Sequence, residues 1–266
     1  VSIVNIRRTA RELALKVLYQ MDVGKQPLAE ALEGALEQVR TQIYAPMTQI
    51  VHDTQVTLRR TYTQLPLREM LQDRKQIRQL ANLAETQIQT LADLATEQVR
   101  ALTRHPPSMD PASARASLLG AIENARAQVQ QLASRPSPHP EIVEKIVEVF
   151  TKASEHLVEV YNKHLPTVQL IADFLKLLVH GVNQSRQEID MRLAALSTGW
   201  GLERQAAVDR NIMRLAAYEI LYLPDIPTGA SINEAVELAK KFSTAESGRF
   251  VNGVLGALAM QARGTG

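Results

Sequence analysis

A chain of 266 residues is long enough for one or two domains and can bury a full hydrophobic core. It contains no cysteine, which excludes disulfides, Cys-ligated zinc, iron–sulfur clusters and thiol nucleophiles. A net charge of +2 is too small to indicate a nucleic-acid partner by itself, and with one Trp, four Phe and six Tyr the chain rests on the helix formers Ala, Leu, Gln, Glu and Arg.

The distribution of charge says more. The first 25 residues carry Arg7, Arg8, Arg11, Lys16 and Lys25 against Glu12 and Asp22, a local excess of three positive charges. Thr9 is predicted to cap a helix running to Val23, with Ala10, Leu13, Ala14, Val17 and Leu18 on its buried face. The arginines then lie at or beside a helix N-terminus, where cations oppose the dipole at roughly 0.3–1 kcal/mol each. The apolar residues precede the arginines, the reverse of a signal peptide, so a cytoplasmic protein is expected.

From about residue 40 to 165 the apolar spacing is helical throughout. Ile77, Leu80, Ala84, Ile88, Leu91, Ala95, Val99 and Leu102 form one stripe, and Leu118, Ile122, Ala125, Val129 and Leu132 a second. Ile142, Ile146, Val149, Ala153, Leu157 and Val160 give a third. Prolines at 106, 107 and 111, and again at 136, 138 and 140, mark breaks between helices. This predicts two or three antiparallel helices whose stripes are core; a partner-binding arm is the alternative.

Beyond Pro166, one helix is expected from about 167 to 196, with Phe174, Leu178, Val182 and Ile189 facing inward. The apolar run from Leu170 to Val179 is broken by Asp173 and Lys176 and is too short for a membrane span. A further helix from about 203 to 223 buries Val208, Ile212, Leu215, Ala216 and Ile220. Ser231 with Glu234 has capping-box spacing for the next helix, whose inner face is Ile232, Ala235, Val236, Ala239 and Phe242. Ser247 is predicted to cap a last helix that buries Val251, Val254, Leu255 and Leu258.

Catalytic patterns are missing from the sequence. The six histidines include no pair four apart, Gly199-Trp200-Gly201 lacks the Lys-Ser/Thr of a phosphate loop, and there is no Gly-x-Ser-x-Gly elbow. No enzyme activity, cofactor or metal is expected, and Trp200 reads as core.

Two stretches carry a family resemblance. Arg7-Arg8-Thr9-Ala10-Arg11-Glu12-Leu13-Ala14 with Leu18-Tyr19 resembles the opening arginine-rich helix of the NusB family of bacterial transcription antitermination factors. The second stretch is Ser231-Ile232-Asn233-Glu234-Ala235, followed by Phe250-Val251-Asn252-Gly253-Val254-Leu255. Between them, residues 208–219 and, less closely, 174–190 are similar to the preceding helices, so the resemblance covers 1–35 and 166–266. It implies an all-α fold of two packed helical subdomains, formed by residues 1–39 and 166–266, with residues 40–165 as an inserted antiparallel helical segment.

The resemblance further implies recognition of boxA RNA in nascent transcripts jointly with NusE, a ribosomal small-subunit protein, within an antitermination complex of RNA polymerase. Arg7, Arg8, Arg11 and Tyr19 fall in the family's RNA-facing helix, and Glu246, Arg249 and Phe250 in a turn and helix start also used against RNA. Glu246 stands where the family has Asp, and Ala194 where an aromatic contact is expected. Val23 and Asp209 match positions that touch the ribosomal-protein partner, while Asn233, Asn252 and Gly253 read as structural. Guanidinium forks suit phosphate oxygens, and an exposed aromatic beside them suits stacking on an unpaired base. Two alternatives remain at this stage: the NusB-like N-terminal domain of a ribosomal-RNA cytosine methyltransferase, and a helical protein-interaction module.

Overall fold

The helix-forming composition becomes helix throughout a computed structural model that describes residues 3–63, 71–197, 204–244 and 246–264. Trp200, with its two flanking glycines, lies outside the described residues. Among the described residues there is no strand, and the helices are α1 (Ile3–Asp22), α2 (Leu28–Thr63), α3 (Leu71–Thr103), α4 (Pro111–Ala133), α5 (Pro140–Gln184), α6 (Arg186–Leu196), α7 (Ala207–Tyr222), α8 (Thr228–Phe242) and α9 (Ser247–Gly264). The chain divides into two compact units: residues 1–39 with 170–266, and residues 40–169. Helices α2 and α5 each contribute to both.

The second unit is a bundle of four antiparallel segments. Arg40 Nε donates to Thr103 Oγ1 (2.8 Å) and Tyr44 Oη to the Thr96 carbonyl (3.5 Å), so α2 and α3 run in opposite directions. Gln87 bonds Gln128, Gln76 bonds the Arg135 and Pro136 carbonyls, and Arg126 reaches Ser154 and Glu155, which continues the alternation through α4 and α5. The stripe of eight apolar residues from Ile77 to Leu102 is buried along its whole length. Asp110 opens α4, accepting the Ser113 amide at 2.9 Å with Pro111 at the first helical position.

Two prolines do not end helices. Pro46 lies inside α2 and Pro166 inside α5, so the helix expected to start near 167 is the continuation of one that begins at Pro140. An interior proline costs about 3 kcal/mol. Here the apolar face continues on both sides: Ile43, Met47 and Ile50 around Pro46, and Leu165, Val168 and Ile171 around Pro166 are all buried. Burial of several such side chains, at about 1.5–3 kcal/mol each, outweighs the lost hydrogen bond. The break falls instead at Ser185, before α6.

In the first unit α7 packs against α1, α6, α8 and α9. It is buried all round from Asn211 to Ala217, and its buried polar residues Arg214, Asn211 and Glu219 are matched by partners on neighbouring helices. Gly181 of α5 is the point of closest approach, since a Cβ there would fall on the Tyr218 ring. Gly253, read as a packing residue, is exposed, and an added Cβ would meet nothing.

The predicted caps also move. Helix α1 starts at Ile3, leaving Thr9 inside it with its hydroxyl donating to the Asn5 carbonyl (2.9 Å). Helix α8 starts at Thr228, so Ser231 and Glu234 form no capping box; Ser231 Oγ donates to Glu219 (2.6 Å). Ser247 opens α9, but Thr244 Oγ1 accepts its amide (3.3 Å), and the Ser247 hydroxyl is used elsewhere. Phe242, expected inside, is 37% exposed with the Lys241 ammonium 5.1 Å from its ring centre.

Candidate nucleic-acid interface

Because α1 begins six residues before Thr9, its arginines occupy the second and third turns rather than the end. They divide into three environments. Arg7 is half-buried with its guanidinium 5.5 Å from the Phe174 ring centre, and it makes no ion pair among the described residues. Arg8 is exposed and clamps Glu234 with both arms of its fork, Nη2 to Oε1 at 2.6 Å and Nε to Oε2 at 3.0 Å. That hydrogen bond, with the charge of the guanidinium, holds the Glu234 carboxyl below its usual range and raises Arg8.

Arg11 is placed differently from the sequence expectation. It is 6% exposed, and its Nε and Nη2 donate to Glu219 at 2.7 and 2.9 Å. Ser231 completes the carboxylate, so Arg11 joins α1 to α7 and α8 and turns away from solvent. A phosphate contact at Arg11 has no geometric support here. The outward stripe of α1 is Arg8, Lys16 and Tyr19, continued by Val23 just past its end, with Glu12 beside it in a 2.7 Å pair with Lys241. Tyr19 is 41% exposed and Val23 49%. Arg8 and Tyr19 are about 16 Å apart along the axis, by the helical rise over eleven residues.

A second group gathers where α7 begins and α8 turns into α9. Arg204, Asp209, Thr244, Glu246, Ser247 and Phe250 line a cavity of about 320 Å³. Asp209, expected at a partner surface, is 8% exposed; its Oδ2 accepts the Ser247 hydroxyl at 2.8 Å, and its Oδ1 has no hydrogen bond among the described residues. Glu246 and Arg249 are exposed, and Phe250 is half-buried against the cavity. The predicted residues therefore fall into two places: Arg7, Arg8 and Tyr19 along α1 with Val23 just past its end, and Asp209, Glu246, Arg249 and Phe250 around this cavity.

The sequence reading missed a third cluster. Asp22, at the end of α1, receives Arg186 on Oδ1 (2.7 Å) and both Arg210 (2.6 Å) and Arg214 (3.1 Å) on Oδ2. Arg214 also forks onto Asp190 with two 2.7 Å bonds. These groups line a cavity of about 570 Å³. Burial pushes the Asp22 carboxyl up, but the hydrogen bonds from Arg210 and Arg186 and the charge of Arg214 hold it well below the ordinary carboxylate range. The only local signals were the four-residue spacings Arg186–Asp190 and Arg210–Arg214, which do not reveal a shared partner on α1.

Among the described residues no group of three or more His, Asp or Glu is placed to hold a metal ion. Helix α5 is long and apolar enough, by length and composition, to cross a membrane, and 56% of its most apolar 18-residue window is buried inside the protein. Half-buried apolar helices of that kind are ordinary in packed bundles.

The described residues form an all-helical protein whose arginine-bearing first helix is clamped by carboxylates of α7 and α8. The profile of the NusB family matches residues 140–260. A transcription antitermination protein NusB from Symbiobacterium thermophilum is 53% identical over 87 residues, covering 33% of this chain and 57% of that protein. NusB proteins of Geobacter sp. (strain M21) and Geotalea uraniireducens are 42% and 40% identical over 117 and 118 residues, covering 76% and 77% of their lengths and 44% of this chain. A solved T. maritima NusB matches at 29% identity over 55% of this chain and 91% of that one, with a TM-score of 0.31. The chain belongs to the NusB family of transcription antitermination proteins.

Proposed function

We propose that this protein binds boxA-type RNA in nascent transcripts together with NusE, in the cytoplasm and as part of the RNA polymerase antitermination complex, without catalysing a reaction itself. The observation that carries the reading is the outward stripe of α1: Arg8, Lys16 and Tyr19 point away from the core, with Arg7 beside them and free of any ion pair among the described residues. Arginine and lysine supply phosphate contacts, and Tyr19 supplies a ring for one unpaired base. The Arg8 fork is held ready by Glu234, in a solvent-exposed pair that a phosphate can displace. Val23 offers an apolar contact to the protein partner at the end of the same stripe, and Glu246, Arg249 and Phe250 provide a second approach to the RNA.

The test is fluorescence anisotropy of a labelled boxA oligonucleotide against an equal-length scrambled RNA, with and without NusE. Preferential binding of boxA, strengthened by NusE and lost in Tyr19→Ala, is the expected result. Equal affinity for both RNAs under all conditions would overturn it.

A further inference from the structure

We infer that the end of the second unit remote from residues 40 and 169 is a separate binding surface for the phosphodiester backbone of a nucleic acid. Residues 59–63 and 71–78 contain five cations and one carboxylate, an excess of four, while the whole chain nets only +2. Everything else in the chain is therefore net negative. Charge concentrated so far above the average creates a local field for polyanions.

The structure turns the cations described in these segments outward. Ile77 and Leu80 are buried in the bundle, whereas Arg60, Lys75 and Arg78 are exposed and Arg74 is half-exposed. Among the described residues none of these four makes an ion pair, and Arg59, itself exposed, has only a loose 3.5 Å pair with Glu85. Gln76 bonds the carbonyls of Arg135 and Pro136 at 3.4 and 3.2 Å, which brings the exposed Arg135 to the same end. From the level of Glu85 to that of Lys75 the strip extends about 15 Å along α3, by helical rise. The opposing charges are Glu69 and Asp73, close by in the sequence, and Glu141 and Glu144 in the first turns of α5.

Helix stability does not account for the placement. Arg60, in the last turn of α2, is favoured by the dipole, but Arg74, Lys75 and Arg78 occupy the opening turns of α3, where cations are disfavoured. Cations that make no ion pair among the described residues, set against a helix dipole on the face opposite the core, fit an external polyanion. Tyr62, half-buried and three residues beyond Arg59, adds a ring at the same end. This surface does not depend on the boxA reading of α1.

The full-length protein is titrated at several salt concentrations with a labelled mixed-sequence 20-nucleotide RNA and, in parallel, a 20-base-pair DNA. The tip variant Arg60→Gln/Lys75→Gln/Arg78→Gln is compared with Arg7→Gln/Arg8→Gln, each checked by thermal melting. On the RNA, the tip variant should lower the slope of log affinity against log salt by about 2, from three contacts at ~0.7 each. Arg60→Lys/Arg78→Lys should keep the slope, because charge is conserved. The arm with the larger loss identifies RNA or DNA as the source of the backbone. A folded tip variant with unchanged slope on both probes overturns the proposal, including the case where the surface instead takes an acidic protein. Failure of the α1 variant alone to change the slope would count against the boxA reading and leave this one standing. If the triple variant does not fold, Lys75→Gln alone should still lower the slope by ~0.7.

Discussion

Arg11 and Glu219 are 208 residues apart in sequence and meet as a buried fork, with Nε–Oε1 at 2.7 Å and Nη2–Oε2 at 2.9 Å. Arg8, one turn earlier, makes a fork of similar geometry with Glu234 in solvent. The two should behave in opposite ways. Arg11→Ala leaves Glu219, 1% exposed, as an uncompensated buried charge, a loss of about 3–5 kcal/mol. Arg8→Ala should cost far less, because water solvates the Glu234 carboxylate that it leaves. Denaturant melts of the two variants check this, and equal costs would mean that Arg11 is solvated in solution.

For RNA, the corresponding expectation concerns Arg7 and Arg8. Replacing both with Gln should leave the melting temperature nearly unchanged and lower the salt slope of boxA binding by about 1.4, two contacts at ~0.7 each. Arg11→Lys, by contrast, should affect RNA binding only as far as it loosens α1. A slope that responds to Arg11 but not to Arg7 and Arg8 would place the RNA on another face.

Periodicity was enough to read the helical architecture, because burial of a stripe depends only on residues three and four apart: Ile77 to Leu102 is buried at every step. What was not legible depended on residues far away. Thr9 and Ser231 have capping chemistry, but the hydroxyl of Ser231 belongs to Glu219 on α7. Pro166 obeys a local rule that burial on both sides overrides. The exposure of Arg8 and Tyr19 could be placed from the helix phase, whereas the burial of Arg11 and Asp209 requires knowing Glu219 and Ser247.

Acid should act through Asp22. Its carboxyl is held below the ordinary value by Arg210, Arg186 and Arg214, so its stabilising effect is complete above the unfolded value of about 3.9 and is lost as pH falls below that towards the lowered one. The melting temperature should therefore drop steeply from pH 4 downward. Asp22→Ala should cost about 3 kcal/mol at pH 7 and show a shallower fall below pH 4. Melting curves between pH 2 and 7 measure both, and parallel curves for the two proteins would remove Asp22 from the account.

Gly181 should tolerate no side chain while Tyr218 is present. A methyl group there falls on the ring, so Gly181→Ala should cost about 1–3 kcal/mol through forced displacement. Combining it with Tyr218→Ala should recover part of that loss, a coupling readable in a double-mutant cycle. Additive losses would show that α5 and α7 are not held at this distance.

Phe250 separates a binding role from a packing role most cleanly. Its ring is half-buried on the cavity that also holds Asp209, Glu246 and Ser247, so it is neither sealed in the core nor fully in water. A base stacked on it would contribute ~1–3 kcal/mol, through a contact that carries no charge. Phe250→Ala should therefore weaken RNA binding about five- to 150-fold while the salt slope stays fixed, the reverse of the Arg7 and Arg8 pattern. Truncating a core Phe costs about 3–5 kcal/mol, and a half-buried one should lose well under that. Phe250→Tyr, which keeps the ring, should bind as the parent does. If Phe250→Ala melts as a core truncation does and binds RNA normally at temperatures where it is folded, the ring packs α9 against α7 and the RNA does not reach this cavity.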